Sequence, residues 1–244
     1  MNAARSSGID QIRDVAAFAA HLVEVAVRAE RVAHALRVVL PAEEAPNPIL
    51  AFAAGAWHDG GKILHGDDYH EINGALDIMD RGGAWQLVSG PHDEVSRVLA
   101  RAARAILPGF ALYEQWQPAY VPTSMPRHQM EPAYERLAAA LTPSLAGADR
   151  DRALLLPWDV EALVVMYSDL CTVAPDGLPT DFDTAFEERW LDVARRAQRD
   201  DPGLLSVLPA ARPRVRGGCA LVHEWLTTGY DASALVRFRA AYCA

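Results

Sequence analysis

The chain has 244 residues, 51% of them hydrophobic, and a formal net charge of −9. That length fits one large domain, or one domain with a small appendage, around a sizeable core. The acidic balance, with no Lys/Arg cluster of the usual kind, excludes a broad duplex nucleic-acid surface but leaves room for a nucleotide in a local pocket. No apolar run approaches the roughly 20 residues that span a bilayer, and Met1-Asn2-Ala3-Ala4-Arg5 leads into no apolar signal segment. Cys171, Cys219 and Cys243 are widely spaced with no C-x-x-C, which predicts reduced thiols and a cytoplasmic protein. Abundant alanine and short Val/Ile/Thr runs favour helix over sheet.

In chain order, Asp10 is the expected N-cap of a long helix that Pro41 stops. Val15, Phe18, Leu22, Val25, Ala26, Ala29, Val32, Ala33 and Leu36 form its apolar stripe, with His21 beside it. His34 lies far round the same helix and cannot easily share a site with His21. Asn47-Pro48, a cap followed by proline at the first helical position, opens a short apolar helix to Trp57. That helix delivers His58 and Asp59. A loop is expected from Gly60 to Asp67, then a helix from about Asp68 through His70, Glu71, Ile72, Gly74, Ala75 and Ile78, closed by Gly82-Gly83.

Another helix is expected from His92 to Leu107, broken by Pro108-Gly109. The aromatic, proline-rich stretch Phe110 to Arg127 reads as a loop or lid. A short helix around Glu131–Leu141 and a linker with Gly147 follow. Pro157-Trp158 opens a helix lined by Val160, Leu163, Val164, Tyr167 and Leu170, with Asp169 near its end. After a loop at Pro175-Asp176-Gly177 comes a charged helix, about Asp183 to Arg199. The tail beyond Pro202 carries Arg212, Arg214 and Arg216 and two short helical stretches. The pattern predicts about eight helices and little or no sheet, divided into a core of residues 1–200 and a C-terminal helical extension, 201–244, packed on it.

The densest chemistry is Trp57-His58-Asp59-Gly60-Gly61-Lys62. An imidazole beside a carboxylate offers two ligands to a borderline or hard divalent metal. The glycines end the preceding helix and let backbone approach what is bound. Lys62 is a point charge suited to a phosphoryl oxygen. His-Asp pairs also arise by chance, and Pro91-His92-Asp93 is a second one. The first gains weight from its company: His21, His58, Asp59 and Asp169 together make two imidazoles and two carboxylates.

This order, a His on a first helix, His-Asp after a second and a late Asp on a core helix, resembles the HD-domain metal-dependent phosphohydrolase superfamily. The resemblance covers roughly residues 15 to 200. His58-Asp59-Gly60-Gly61-Lys62 is close to H-D-x-G-K, and Tyr69 to Ala75 is similar to the H-x-x-x-G-A helix that follows in many members. Tyr167 to Leu170, Pro175 to Gly177 and Phe186 to Arg189 are similar to the terminal Asp helix and its successor.

The resemblance implies an all-α bundle with a metal between helices and hydrolysis of a small, nucleotide-like phosphate ester. It makes His21, His58, Asp59 and Asp169 the ligands of a divalent ion (Mn, Fe, Mg, Zn or Ni), with Asp59, Lys62 and His70 serving catalysis. A second ion would need another histidine near Ala105 to Phe110, where Ile106-Leu107-Pro108-Gly109 stands. One ion is therefore expected. The alternative activity is an HD-fold di-iron oxygenase acting on a small organic substrate; a ligand-sensing module without turnover is a third.

Around this set, Asp67, Asp68 and Glu71 are candidate partners for His70 or His58. His65, His92 and His128 are candidates for the site's edge. His34 and His223 read as structural. Tyr113 to Tyr120 reads as packing or as a roof over the pocket, and Arg212 to Arg216 as a solvated tail or a phosphate contact.

Overall fold

The structure, a computed structural model, describes residues 12, 14–66, 70–85, 127–141, 159–171, 181–200 and 202–243. They are all-helical, with no strand among them: α1 (Val15–Val39), α2 (Pro48–Trp57), α3 (Gly61–His65), α4 (His70–Trp85), α5 (Arg127–Leu141), α6 (Val160–Leu170), α7 (Phe182–Asp200), α8 (Pro202–Thr228) and α9 (Ala232–Cys243). The helix expected over His92–Leu107 and the loops around Gly147 and Pro175 lie outside the described residues. So does the aromatic stretch, except Arg127. No helix among the described residues is long and apolar enough to cross a membrane.

The axis of the bundle is α6. Every residue from Val160 to Leu170 is buried except Asp169. A helix apolar on all sides must be surrounded, and α6 is: α1, α2, α7 and α8 pack against it. Its one buried acid in the first turn, Glu161, accepts a 2.8 Å hydrogen bond from the Asn47 backbone N–H. That bond ties the start of α6 to the start of α2. Asn47 caps α2 as its sequence predicts, its Oδ1 accepting from Ile49 N and Leu50 N.

Helix α1 starts at Val15, and its N-cap is Asp14, not Asp10. Asp14 has extended backbone and accepts from Ala17 N at 2.9 Å, the reach an N-cap needs. The stripe buries from Val25 to Leu36, while Val15 is exposed. Helices α1 and α2 cross closely at Gly55, where a Cβ would stand 2.8 Å from Ala26 Cα.

Three further expectations are corrected. The loop after Gly60 contains a helical turn, α3, seated on α4. The gap left by the missing Gly61 Cβ is filled by the His70 carbonyl, which such a Cβ would meet at 2.0 Å, so this glycine serves helix contact rather than ligand approach. Helix α4 runs through Gly82-Gly83 to Trp85; glycine weakens a helix by about 1 kcal/mol but does not stop it. Helix α5 begins at Arg127, ahead of Glu131, and holds Pro132 inside.

The tail is no pair of short helices. It is one 27-residue helix, α8, with Pro209 and Pro213 inside it, followed by α9. Each internal proline costs about 3 kcal/mol. Leu208, Val215, Val222 and Trp225 on the inner face are buried, and burial of such side chains stabilises by about 1.5–3 kcal/mol each. Packing therefore carries the helix through both prolines. Arg212 and Arg216 point from it to Glu187 and Asp183 of α7, so this run is an ion-paired helix face and not a solvated tail.

Candidate metal centre

The site lies where the second turn of α1, the end of α2 and the end of α6 meet. His21 comes from α1, His58 and Asp59 from the turn that leaves α2, and Asp169 from the last turn of α6. His58 Nδ1 is 2.7 Å from the Gly55 carbonyl oxygen. A carbonyl only accepts, so Nδ1 carries the proton and Nε2 presents its lone pair. That lone pair faces His21 Nε2 at 3.2 Å, with the rings edge-on at 68°. Two imidazole nitrogens at this distance need a proton or a cation between them.

Asp59 Oδ2 lies 4.0 Å from His21 Nε2 and 3.9 Å from His58 Nε2. One donor atom from each of His21, His58 and Asp59 falls within 4.8 Å of the others, so this group could hold a metal ion. Asp169 Oδ1 is also near, 3.5 Å from His21 Nε2 and 3.9 Å from His58 Nε2. Two imidazole nitrogens with carboxylate oxygens suit the borderline divalent ions.

The electrostatics favour the unprotonated forms of His21, Asp59 and Asp169. Burial lowers the His21 imidazole below its ordinary 6.5, and the pull of Asp169 only partly reverses it. Burial alone would raise the Asp59 carboxyl, but Lys62, His58 and His70 outweigh it and hold the group well below the carboxylate range. Asp169 is likewise lowered, burial being overcome by His58 and Arg189.

Each oxygen of Asp59 has its own partner. Lys62 Nζ donates to Oδ2 at 2.7 Å. His70 Nε2, almost wholly buried, is 2.9 Å from Oδ1 and 3.1 Å from Glu71 Oε1. Burial lowers the His70 imidazole, and the two carboxylates, Glu71 first, raise it above 6.5. Glu71 is thus a partner of His70, while Asp67 and Asp68 lie outside the described residues. Burial raises its own carboxyl.

Among the described side chains, the other histidines do not join. His65 pairs with Asp77 on α4 at 2.9 Å, and His34 is exposed on α1. His223 is structural, its Nδ1 3.1 Å from the Tyr167 hydroxyl and its ring stacked on Phe182. His92 and the side chain of His128 lie outside the described residues.

Sequence reasoning gave no role to Arg189 of α7. Its Nη2 donates to Asp169 Oδ1 and its Nε to the Asp169 carbonyl, both at 3.1 Å. The available signal was positional: Arg189 follows Phe186 by three and precedes Val193 by four, so it interrupts the buried stripe of an amphipathic helix. No protein-family model matches the chain, and neither the curated proteins nor the solved structures contain a match to it.

Proposed function

We propose that the protein is a metal-dependent phosphohydrolase that cleaves a small, nucleotide-like phosphate ester. The observation that carries this reading is the convergence of His21 Nε2, His58 Nε2 and Asp59 Oδ2, with a lysine held against the same carboxylate. In this reading Asp169 is the fourth ligand and one divalent ion is bound. Such an ion supplies Lewis acidity, acidifying water and withdrawing charge from a phosphoryl oxygen.

The protein's own groups do the rest. Asp59 and Asp169 stay ionised at neutral pH and balance the ion's charge. His58 is locked by Gly55 in the tautomer that offers Nε2. His70 holds a proton against Asp59 Oδ1 and so keeps Oδ2 turned toward the two imidazoles. Lys62 places a positive charge beside the same oxygen, where a phosphoryl group would develop negative charge.

The buried imidazole of His70 on the second oxygen of Asp59 favours one other reading, an oxygenase with two irons acting on a small organic substrate. Elemental analysis of the purified protein separates them, followed by a phosphate-ester panel with and without chelator. One non-iron metal per chain with chelator-sensitive phosphate release supports the hydrolase. Two irons per chain and a visible absorption band in air support the oxygenase. A chain that takes up no metal after reconstitution would sink both.

A further inference from the structure

Asp169 is the penultimate residue of α6, so its main-chain carbonyl and that of Ser168 are among the four that a helix end leaves without intrahelical partners. Here the end is enclosed by other helices. Two arginines reach the freed carbonyls: Arg28 of α1 donates from Nη1 to Ser168 O at 3.2 Å, and Arg189 of α7 donates from Nε to Asp169 O at 3.1 Å. Only Arg189 then continues to the side chain, with Nη2 on Asp169 Oδ1. The rigid fork of one guanidinium thus grips both the backbone and the carboxylate of one residue. The gripped oxygen is the one 3.5 Å from His21 Nε2 and 3.9 Å from His58 Nε2.

We propose that Arg189 is a positioning residue, which aims the Asp169 carboxylate at His21 and His58 for metal binding. This rests on the reading of Asp169 as a ligand. Two effects of Arg189 oppose each other. Its charge repels a cation, whereas its two bonds remove the rotamer freedom that Asp169 would have at a helix end. The repulsion is damped because Arg189 Nη1 also lies 3.3 Å from Asp192 Oδ2, so its charge is shared between two acids. Hydrogen-bond partners that orient a ligand are typically worth about 10–100-fold in metal affinity. If positioning governs, loss of Arg189 weakens metal binding, and if repulsion governs it strengthens it, so the sign of the mutational effect decides between them.

The test is Mn²⁺ binding to the whole chain, followed by the paramagnetic resonance signal of the free ion, with thermal melts of the metal-free protein alongside. Arg189→Met weakens Mn²⁺ binding by about tenfold or more. Arg189→Lys falls between it and wild type, because an ammonium keeps the charge but not the fork. Arg28→Met, which caps the same helix end without touching the carboxylate, lowers the melting temperature and leaves Mn²⁺ affinity as it is. In an Asp169→Asn background, Arg189→Met adds little further loss.

Equal or tighter binding by Arg189→Met overturns the proposal, and so does an equal loss of affinity in Arg28→Met. If Arg189→Met does not fold, Arg189→Lys decides, and wild-type affinity there overturns it. Wild-type binding by Asp169→Asn removes the ligand reading itself. Weakened Asp169→Asn with unaffected Arg189→Met removes only the role of Arg189.

Discussion

His21 Nε2 and His58 Nε2 face each other at 3.2 Å, while Gly55 holds the proton of His58 on the far side of its ring. Each imidazole thus turns its Nε2 toward the same point. Replacing either by alanine weakens Mn²⁺ binding by more than the roughly 10–100-fold that supporting residues are worth. Because burial lowers the His21 pKa, its neutral form persists as pH falls, and proton competition at this residue sets in only below its ordinary 6.5. Titrating Mn²⁺ affinity against pH checks this. An affinity that rises as the solution is acidified would contradict the assignment.

The crossing that brings these rings together has little slack. A Cβ at Gly55 would stand 2.8 Å from Ala26 Cα and 3.1 Å from Val25 O, both backbone atoms. Gly55→Ala must push α2 away from α1. Overpacking of this kind costs about 1–3 kcal/mol, and about 2 kcal/mol lowers the melting temperature of a chain this size by roughly 4–8 °C. Since α2 carries His58 at its end, Mn²⁺ binding weakens in the same variant. An unchanged melting curve would show that the crossing adapts freely.

In the proposed reaction Lys62 bears on chemistry more than on folding. With Nζ 2.7 Å from Asp59 Oδ2, it places positive charge where a phosphoryl oxygen would sit in the proposed reaction. On the best phosphate ester identified, Lys62→Met lowers kcat/KM by roughly 100-fold, the effect of removing one charge-stabilising donor. Steady-state kinetics of the two proteins measure it, and a variant as active as wild type would leave Lys62 a purely structural partner of Asp59.

His223 gives a pH dependence of its own. Burial lowers its pKa, with Asp183 pulling weakly the other way; Tyr167 of α6 and Phe182 of α7 pack against it. A histidine whose folded pKa lies below 6.5 is protonated first in the unfolded chain, so its contribution to stability is lost as pH falls through 6.5 toward the folded value. His223→Asn removes that contribution. Between about pH 7.5 and about pH 5.5, the melting temperature of the metal-free variant therefore falls less than that of wild type. Equal falls would show that His223 titrates alike in both states.

Several features were legible because they are local. Asn47-Pro48 marks the start of α2 through a cap that needs only Ile49 and Leu50. The three- and four-residue spacing of Val25 to Leu36 marks the inner face of α1. Asp169 falls near the end of α6 as its apolar neighbours require. The N-cap of α1 was misplaced because Asp10 and Asp14 are chemically alike, and only backbone geometry picks Asp14. Helix α8 was misread because proline penalties are visible along the chain, whereas the inner surface that Leu208, Val215, Val222 and Trp225 bury is not.

The sequence by itself determined the all-helical class, the donor types available and their order along the chain, since periodicity, caps and side-chain chemistry act within a few residues. Only the tertiary structure decided which histidines meet among the described residues. It set His21 against His58 and turned His65 to Asp77 and His223 to Tyr167. It also brought Arg189 onto Asp169 from another helix. The first of these choices follows from how closely α1 and α2 cross, at Gly55 against Ala26, and the others from the packing of α3 on α4 and of α7 and α8 on α6. A crossing is a contact between segments distant along the chain, which no local pattern encodes.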